Sequence, residues 1–223
     1  MCRSDGVLFR PARPATAIDS TFLSDNGPKG EMWHTYGSDD NENLFVEYVM
    51  ITNLTQSYPF TWDELYSTQD DDTPRRVIVD NYVAFDLNHP MNYYWLTSKD
   101  PSSTISMPTC PQNPITFYSP YHLYVFIPYF ESSEWILFGE LNKQLPITKQ
   151  RFQSVSFESI SSLNQFQVDV IGVSGEQVFI SLGQVEQVFG KITMTTVVCS
   201  FDSQSVLSTM SILCDKEHGC RCG

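Results

Sequence analysis

The sequence predicts a mainly-β protein, an antiparallel β-sandwich with an irregular N-terminal segment. Two observations carry this prediction. Short runs rich in β-branched and aromatic residues recur along the chain, with turn residues between them. Helix patterns are scarce, and strands at this regular spacing are typical of sandwiches rather than of α/β sheets.

The chain up to residue 130 contains three predicted strands and one short helix. Residues 44–52 have the composition and the length of a strand. Residues 76–85 carry two apolar clusters that are separated by Asp80 and Asn81. Residues 61–64 have the spacing of a helix capping box, and the apolar pattern continues so briefly that we expect only one or two helical turns.

The third predicted strand comes from the least charged part of the sequence. Residues 101–130 contain no Asp, Glu, Lys or Arg. Prolines in their first half predict a loop or a sheet edge, because proline is excluded from central strand positions. Residues 121–130 read as a strand buried on both faces. A sugar-stacking aromatic platform is the functional alternative, and the core strand is the favoured interpretation.

The second half of the chain shows strand periodicity most clearly. Phe166, Val168 and Val170 alternate with polar residues, which predicts a half-buried strand. The same alternation returns at residues 178–182, after a turn with glycines at both ends, and we expect the two runs to form a β-hairpin. The later runs continue this rhythm at residues 185–189, 192–199 and 206–213.

Charge and length bound the classes of function. The chain has 223 residues, a formal net charge of −13 and a pI near 4.5, which argues against binding to nucleic acid through its phosphates. No apolar run approaches the roughly 18 residues of a membrane span, so no membrane partner is expected. The first residues hold no apolar signal-peptide core, which favours the cytoplasm, although the compartment stays open.

Six cysteines, two acidic clusters and four histidines supply the candidate chemistry. Four possible zinc ligands lie close together near the C-terminal end, namely Cys214, His218, Cys220 and Cys222. A C-x-C pair fits one zinc ion poorly, so a frayed end or a local disulfide of an exported protein is the favoured interpretation. The acidic clusters at residues 39–42 and 70–72 lack the calcium-loop pattern and are interpreted as solvated turn acids. The histidines are spread singly. We therefore expect no metal and no cofactor.

The N-terminal third resembles a known family. Residues 5–10 (DGVLFR), 13–16 (RPAT), 19–22 (DSTF) and 30–33 (GEMW) follow the order of blocks found in raffinose synthases, seed-imbibition proteins and related α-galactosidases. Residues 61–64 and the run from 121 to 142 fit the same layout. The resemblance covers residues 5 to about 145. It departs from the family at Ala15, at Ala17-Ile18 and at residues 33–35.

The resemblance implies a C-terminal β-sandwich that follows a (β/α)₈ barrel in a galactoside-active hydrolase or galactosyltransferase. Such a barrel needs about 250 residues, so the catalytic carboxylates would lie in a barrel upstream of this chain, which would by itself be inactive. Galactosides or other carbohydrates would bind through that barrel. Arg13 and Asp19 would lie near the sugar, unless they form a structural pair that fixes the linker. The corresponding division is a barrel-exit segment at 1–30, a sandwich at 31–215 and a Cys-rich tail at 216–223.

Two alternatives belong to other classes of function. A stand-alone carbohydrate-binding sandwich would use tryptophans on its surface, and the candidates are Trp33, Trp62, Trp95 and Trp135. Aromatic rings suit this role because their faces pack against the apolar faces of sugars. A structural or adhesive module of an exported protein would instead be held by disulfides, and it predicts that the cysteines are not free thiols.

Overall fold

A computed structural model describes eleven stretches of the chain. They are residues 10–11, 31–41, 43–52, 54–67, 79–100, 102–109, 121–131, 133–160, 163–186, 190–201 and 207–223. These stretches are mainly β, as predicted, and every strand pair whose register is described here is antiparallel. The prediction of a mainly-β, antiparallel fold is confirmed.

The strands of the first half follow the apolar runs of the sequence. The run predicted at 44–52 is a strand, and of the run predicted at 76–85 the second half is a strand while residues 76–78 lie outside the described stretches. These strands are β1 (Arg10–Pro11), β2 (Glu31–Ser38), β3 (Phe45–Thr52), β4 (Tyr58–Thr61), β5 (Asn81–Asp86), β6 (Tyr93–Thr97), β7 (Thr104–Met107) and β8 (Tyr121–Tyr129).

Five of the seven later strands have nine to eleven residues. The seven strands are β9 (Trp135–Gly139), β10 (Phe152–Ile160), β11 (Leu163–Val173), β12 (Gln177–Glu186), β13 (Lys191–Ser200), β14 (Leu207–Asp215) and β15 (Gly219–Cys222). A single short helix, α1 (Trp62–Ser67), occurs in the described part of the chain and confirms the expected one or two turns after Thr61. No helix within the described stretches is both long and apolar enough to cross a membrane.

The chain divides into two compact units. The first unit comprises residues 1–36 and 47–126, and the second comprises residues 37–46 and 127–223. The division passes within β2, β3 and β8. The predicted boundaries at 30/31 and 215/216 stay predictions, and of the predicted barrel-exit segment only Arg10 and Pro11 are described.

The first unit is built on a six-stranded sheet in the order β1-β2-β3-β8-β5-β6, accompanied by the β4-β7 pair. The central strands β3 and β8 are buried on both faces, as their continuous apolar sequence predicts. Phe60 of β4 packs against Phe126 of β8 with ring centroids 5.0 Å apart, so the small sheet lies on the large one. Residues 121–130 are therefore core strand over most of their length, as favoured above.

The second unit is a two-sheet sandwich. One sheet has the order β10-β11-β14-β15 and the other the order β13-β12-β9. In β11 the residues Phe166, Val168 and Val170 are buried, while Gln167 and Asp169 between them are partly exposed, which confirms the predicted half-buried strand. The opposite sheet buries Val178 and Ile180 in the same alternating way. The alternation in sequence thus marks the two inner faces of the sandwich.

The predicted hairpin between β11 and β12 is wrong. β11 pairs with β10 on one side and β14 on the other, so it has no free edge left for β12, which pairs with β13 and β9. The chain turns at Gly175, where φ is +79°, and crosses from one sheet to the other. The amide of Gly175 and the carbonyl of Glu176 both bond to Phe201, which follows β13. The glycine does supply the expected positive φ, but in a crossing turn.

Candidate functional site

A buried carboxylate with two histidines stands out in the first unit. Asp86 is the last residue of β5 and is only 6% exposed. Its Oδ1 accepts a hydrogen bond of 3.0 Å from the amide of Asn88, and its Oδ2 lies 2.6 Å from Nδ1 of His122. Nδ1 of His89 lies 3.6 Å from the same Oδ2. We call Asp86, His89 and His122 the histidine site.

The sheet topology brings these three residues together. β5 and β8 are neighbours in the six-stranded sheet, and the amide of Leu87 donates to the carbonyl of Leu123 over 2.8 Å. This register places the end of β5 beside the start of β8, where His122 lies. His89 comes from the tight turn after β5, in which its amide donates to the carbonyl of Asp86 over 2.8 Å. The site is therefore held by backbone as well as by side chains.

The two histidines differ in exposure and hence in what they can do. The side chain of His122 is 22% exposed and that of His89 is 65% exposed. A hydrogen bond to a carboxylate requires the proton of His122 to sit on Nδ1, so Nε2 of the neutral ring carries a lone pair. A carboxylate that fixes the tautomer and orientation of an imidazole in this way prepares it to accept a proton or a hydrogen bond from a ligand.

The sequence alone did not reveal the histidine site. Asp86 and His122 are 36 positions apart, and the strands that carry them are neighbours in space but not consecutive in the chain. Spread singly along the sequence, the histidines matched no short motif. Within the described stretches, no group of three or more His, Cys, Asp or Glu residues is arranged to hold a metal ion.

Of the six residues proposed from sequence, the four tryptophans belong to the described part of the chain. Arg13 and Asp19 lie outside the described residues. Trp33 of β2, Trp62 of α1 and Trp95 of β6 are each partly exposed, and the ring of Trp62 packs against Tyr82 at 5.4 Å. Trp135 of β9 is 4% exposed and offers no open face for stacking on a sugar. A stacking role for the other three tryptophans stays a prediction.

The cysteines of the second unit form two disulfides. Cys199 of β13 bonds to Cys222 of β15, with Cα atoms 5.5 Å apart, and so joins the two sheets of the sandwich. Cys214 of β14 bonds to Cys220 of β15 across the terminal hairpin. The end of the chain is therefore not frayed. The local disulfide considered above is present, and the pairing of the remaining two cysteines, Cys2 and Cys110, lies outside the described residues.

One acid predicted to be solvated is a buried structural group. Asp39 is fully buried, and its carboxylate accepts hydrogen bonds of 2.9 Å from the amides of Leu44 and Val155. Burial raises the pKa of Asp39, and the backbone donors offset part of that rise. The expectation of a solvated turn acid is wrong at this position, because the turn folds its carboxylate onto β10. Residues 70–72 lie outside the described stretches.

A charged network supports the crossing turn of the second unit. Arg151 contacts Glu140 through Nε at 2.9 Å and Glu176 through Nη2 at 2.5 Å, and its Nη1 also donates to the carbonyl of Ile171. Burial works to lower the pKa of Arg151, but both glutamates outweigh it and the pKa is raised. The hydrogen bond from Arg151 lowers the pKa of Glu176. This geometry pins the turn and leaves the guanidinium occupied.

A second carboxylate is satisfied on the outer face of the β10-β11-β14-β15 sheet. Asp169 of β11 accepts hydrogen bonds from the hydroxyls of Ser154 and Ser211 and from the side-chain Nε2 of Gln167. Burial would raise the pKa of Asp169, but these three donors outweigh it and lower the pKa. The three strands are thus linked by side chains as well as by their ladders.

Comparisons of the chain with protein-family models, with curated proteins and with solved structures returned no match. The resemblance to raffinose synthases and related α-galactosidases consequently stays a prediction that rests on the sequence blocks given above.

Proposed function

We propose that this chain is a disulfide-stabilised β-sandwich module of a protein that works in an oxidising, extracytoplasmic compartment, where it has a structural or adhesive role. The observation that carries the proposal is the Cys199–Cys222 disulfide between the two sheets of the second unit. Disulfides of this kind persist in secreted and surface proteins, whereas the cytosol keeps most thiols reduced.

The position of the disulfides supports a structural rather than a redox role. Cys199 and Cys214 are fully buried, so the interior sulfur of each bond is shielded from an attacking thiolate. Both bonds converge on β15, a strand of only four residues that would gain little stability from its own backbone pairing. The disulfides therefore hold the last strand in place.

A sequon gives this proposal a further consequence. Residues 53–55 read Asn-Leu-Thr, which is a glycosylation acceptor pattern in an exported protein. Secretion from eukaryotic cells should therefore allow a glycan at Asn53. A mass difference that is removed by an N-glycosidase, and that disappears in Thr55→Ala, would support export.

Peptide mapping of the protein, purified under oxidising conditions and alkylated without reduction, tests the proposal. We expect peptides linked through Cys199–Cys222 and Cys214–Cys220. The sample should be secreted material, with cytosolic material as the matched control. Full alkylation of Cys199, Cys214, Cys220 and Cys222 in secreted material would overturn the proposal.

A galactoside-active enzyme is the second candidate. It is favoured by the order of the sequence blocks from residue 5 to about 145, and the antiparallel β-fold is compatible with the C-terminal sandwich of that family. In this proposal the catalytic carboxylates belong to a barrel encoded upstream. Sequencing the transcript on the 5′ side of Met1 tests it: a barrel with two such carboxylates supports it, and a stop codon in frame directly before Met1 contradicts it.

A further inference from the structure

We propose that the histidine site binds a neutral, polyhydroxylated ligand of the sugar class. In this complex Nε2 of His122 accepts a hydrogen bond from a hydroxyl of the ligand, and the ring of Tyr94 packs against the ligand. The inference goes beyond the proposed structural function and does not depend on it. It rests on three observations in the first unit, namely the Asp86–His122 hydrogen bond, the register of β5 with β6, and the exposure of Tyr94.

The register places Tyr94 on the same face of the sheet as the histidine site. Tyr94 lies directly opposite Ala84, and Asp86 is two residues farther along β5. Side chains at positions i and i+2 of a strand share a face, and diagonal neighbours about 7 to 8 Å apart are within reach of an aromatic ring. Tyr94 is 42% exposed, so part of its ring is open to a ligand beside Asp86 and His122.

The hydrogen bond to Asp86 orients the ring of His122, which lies beside residues of β3 and β8. Ile51 lies opposite His122 in the β3-β8 ladder and is 1% exposed. The ring of Tyr124, two residues along β8, has its centroid 6.4 Å from that of His122. With Nδ1 bonded to Asp86 and the ring flanked by these residues, Nε2 needs little reorganisation to bind a ligand, which lowers the entropic cost of binding.

The charges of the site select the class of ligand. An anion would approach the carboxylate of Asp86 and be repelled. A resident metal ion is not indicated, since the described residues offer no suitable ligand cluster. A hydroxyl can donate to the lone pair of Nε2, and the exposed imidazole of His89 offers a second polar contact. A sugar has both features that the site requires, namely an apolar ring face that can pack against Tyr94 and several hydroxyls that can bond to the histidines.

The chain supplies a matched control for Tyr94. Tyr121 is 40% exposed, close to the 42% of Tyr94, and it begins β8 directly before His122. Tyr121 and His122 are consecutive in the strand, so their side chains point to opposite faces. Tyr121→Ala therefore removes an equally exposed tyrosine ring, as Tyr94→Ala does, but leaves the proposed site intact.

The inference is tested by titrating the full chain with two glycosides, methyl α-galactopyranoside and methyl α-glucopyranoside. The imidazole resonances are followed by NMR. We expect at least one glycoside to shift the His122 resonances with millimolar affinity. Tyr94→Ala should weaken that affinity by about tenfold, whereas Tyr121→Ala should leave it unchanged. His122→Gln should also lose binding, and a native-like NMR spectrum of each variant confirms that it is folded.

Three results would overturn the inference. The first is the absence of any shift with both glycosides at concentrations well above the millimolar range. The second is equal binding by the wild type and Tyr94→Ala. The third is a response of His122 to inorganic phosphate or to zinc chloride alone, which would assign the site to an anion or a metal ion instead.

Discussion

The two compact units satisfy their buried charges with different partners. In the first unit, Asp86 is paired with His122, and the carboxylate of Glu47 lies against Nε2 of His34. In the second unit, backbone amides satisfy Asp39, and Arg151 satisfies Glu140 and Glu176. The second unit also contains both described disulfides.

The two sets of partners differ in whether they can also bind a ligand. An imidazole keeps a second nitrogen that can bind a ligand, and it changes charge in the physiological pH range. A guanidinium stays charged, a backbone amide cannot leave its place, and a disulfide is covalent. The partners of the buried carboxylates in the second unit are therefore structural groups, whereas the imidazole of His122 in the first unit has a second nitrogen with which we propose that it binds a ligand. The predictions below test this contrast, from the largest expected effect to the smallest.

Removing the disulfide between the sheets should have the largest effect. Cys199→Ser with Cys222→Ser opens a link that spans 23 positions, and we expect the free energy of unfolding to fall by about 3 kcal/mol because the unfolded chain gains conformational entropy. Urea denaturation monitored by circular dichroism measures the change. The matched control is Cys214→Ser with Cys220→Ser, which spans 6 positions and should cost about 2 kcal/mol. A larger loss in the control than in the first pair would contradict the account.

Asp39→Ala should come next. The substitution leaves the buried amides of Leu44 and Val155 without their acceptor, and each unsatisfied amide is costly. We expect a loss of about 2 kcal/mol, measured by the same urea denaturation. Asp40→Ala is the control, since Asp40 is exposed and its change should stay within about 0.5 kcal/mol. Equal effects of the two substitutions would show that Asp39 does not anchor the turn to β10.

Gly172→Ala tests how closely the sandwich is packed. A Cβ atom at Gly172 would lie 2.2 Å from the ring of Phe201, so the ring would have to move. We expect a loss of about 1 to 2 kcal/mol from overpacking. Gly223→Ala meets no atom within 4 Å and should change the melting temperature very little. If Gly172→Ala melts like the wild type, the tight packing of Phe201 on β11 is refuted.

The smallest effect concerns pH. The pKa of Asp169 is lowered in the folded protein, so its contribution to stability is complete above the ordinary pKa of 3.8 and is lost as pH falls through the lower folded value. Asp169→Asn should therefore lose less stability than the wild type between pH 6 and pH 3, as measured by urea midpoints.

The pKa of Asp39 is raised, so its protonation favours the folded state. Asp39→Asn should therefore lose stability more steeply than the wild type as the pH falls. Slopes that do not diverge in this way would contradict the pKa directions.

The sequence predicted the fold wherever one strand could be judged by itself. The apolar runs of β3 and β8 and the alternation of β11 are local signals, and all three were confirmed. The link between β11 and β12 was mispredicted, because a glycine turn between two alternating runs looks the same within one sheet as between two. Only the occupied edges of β11 decide between the two arrangements.

The sites were less predictable, because they depend on contacts between distant parts of the chain. Cys199 and Cys222 meet across two sheets, and a cysteine count does not determine pairing. Asp86 and His122 meet because β5 and β8 are neighbours in the sheet. Asp39 looked like one acid in a charged cluster, and its burial follows from the contact of its turn with Val155. In each case the deciding information was strand order.

Hydrogen exchange tests the contrast between the units most directly. The protein to be measured is the variant in which all four disulfide cysteines are changed to serine, namely Cys199, Cys214, Cys220 and Cys222. Amides of β10, β11 and β14 should lose protection, because the disulfides that hold β15 on their sheet are gone. Amides of β5 and β6 should keep the protection they have in the wild type, since no described disulfide involves them. A uniform loss of protection over both units, or no loss in either, would contradict the account.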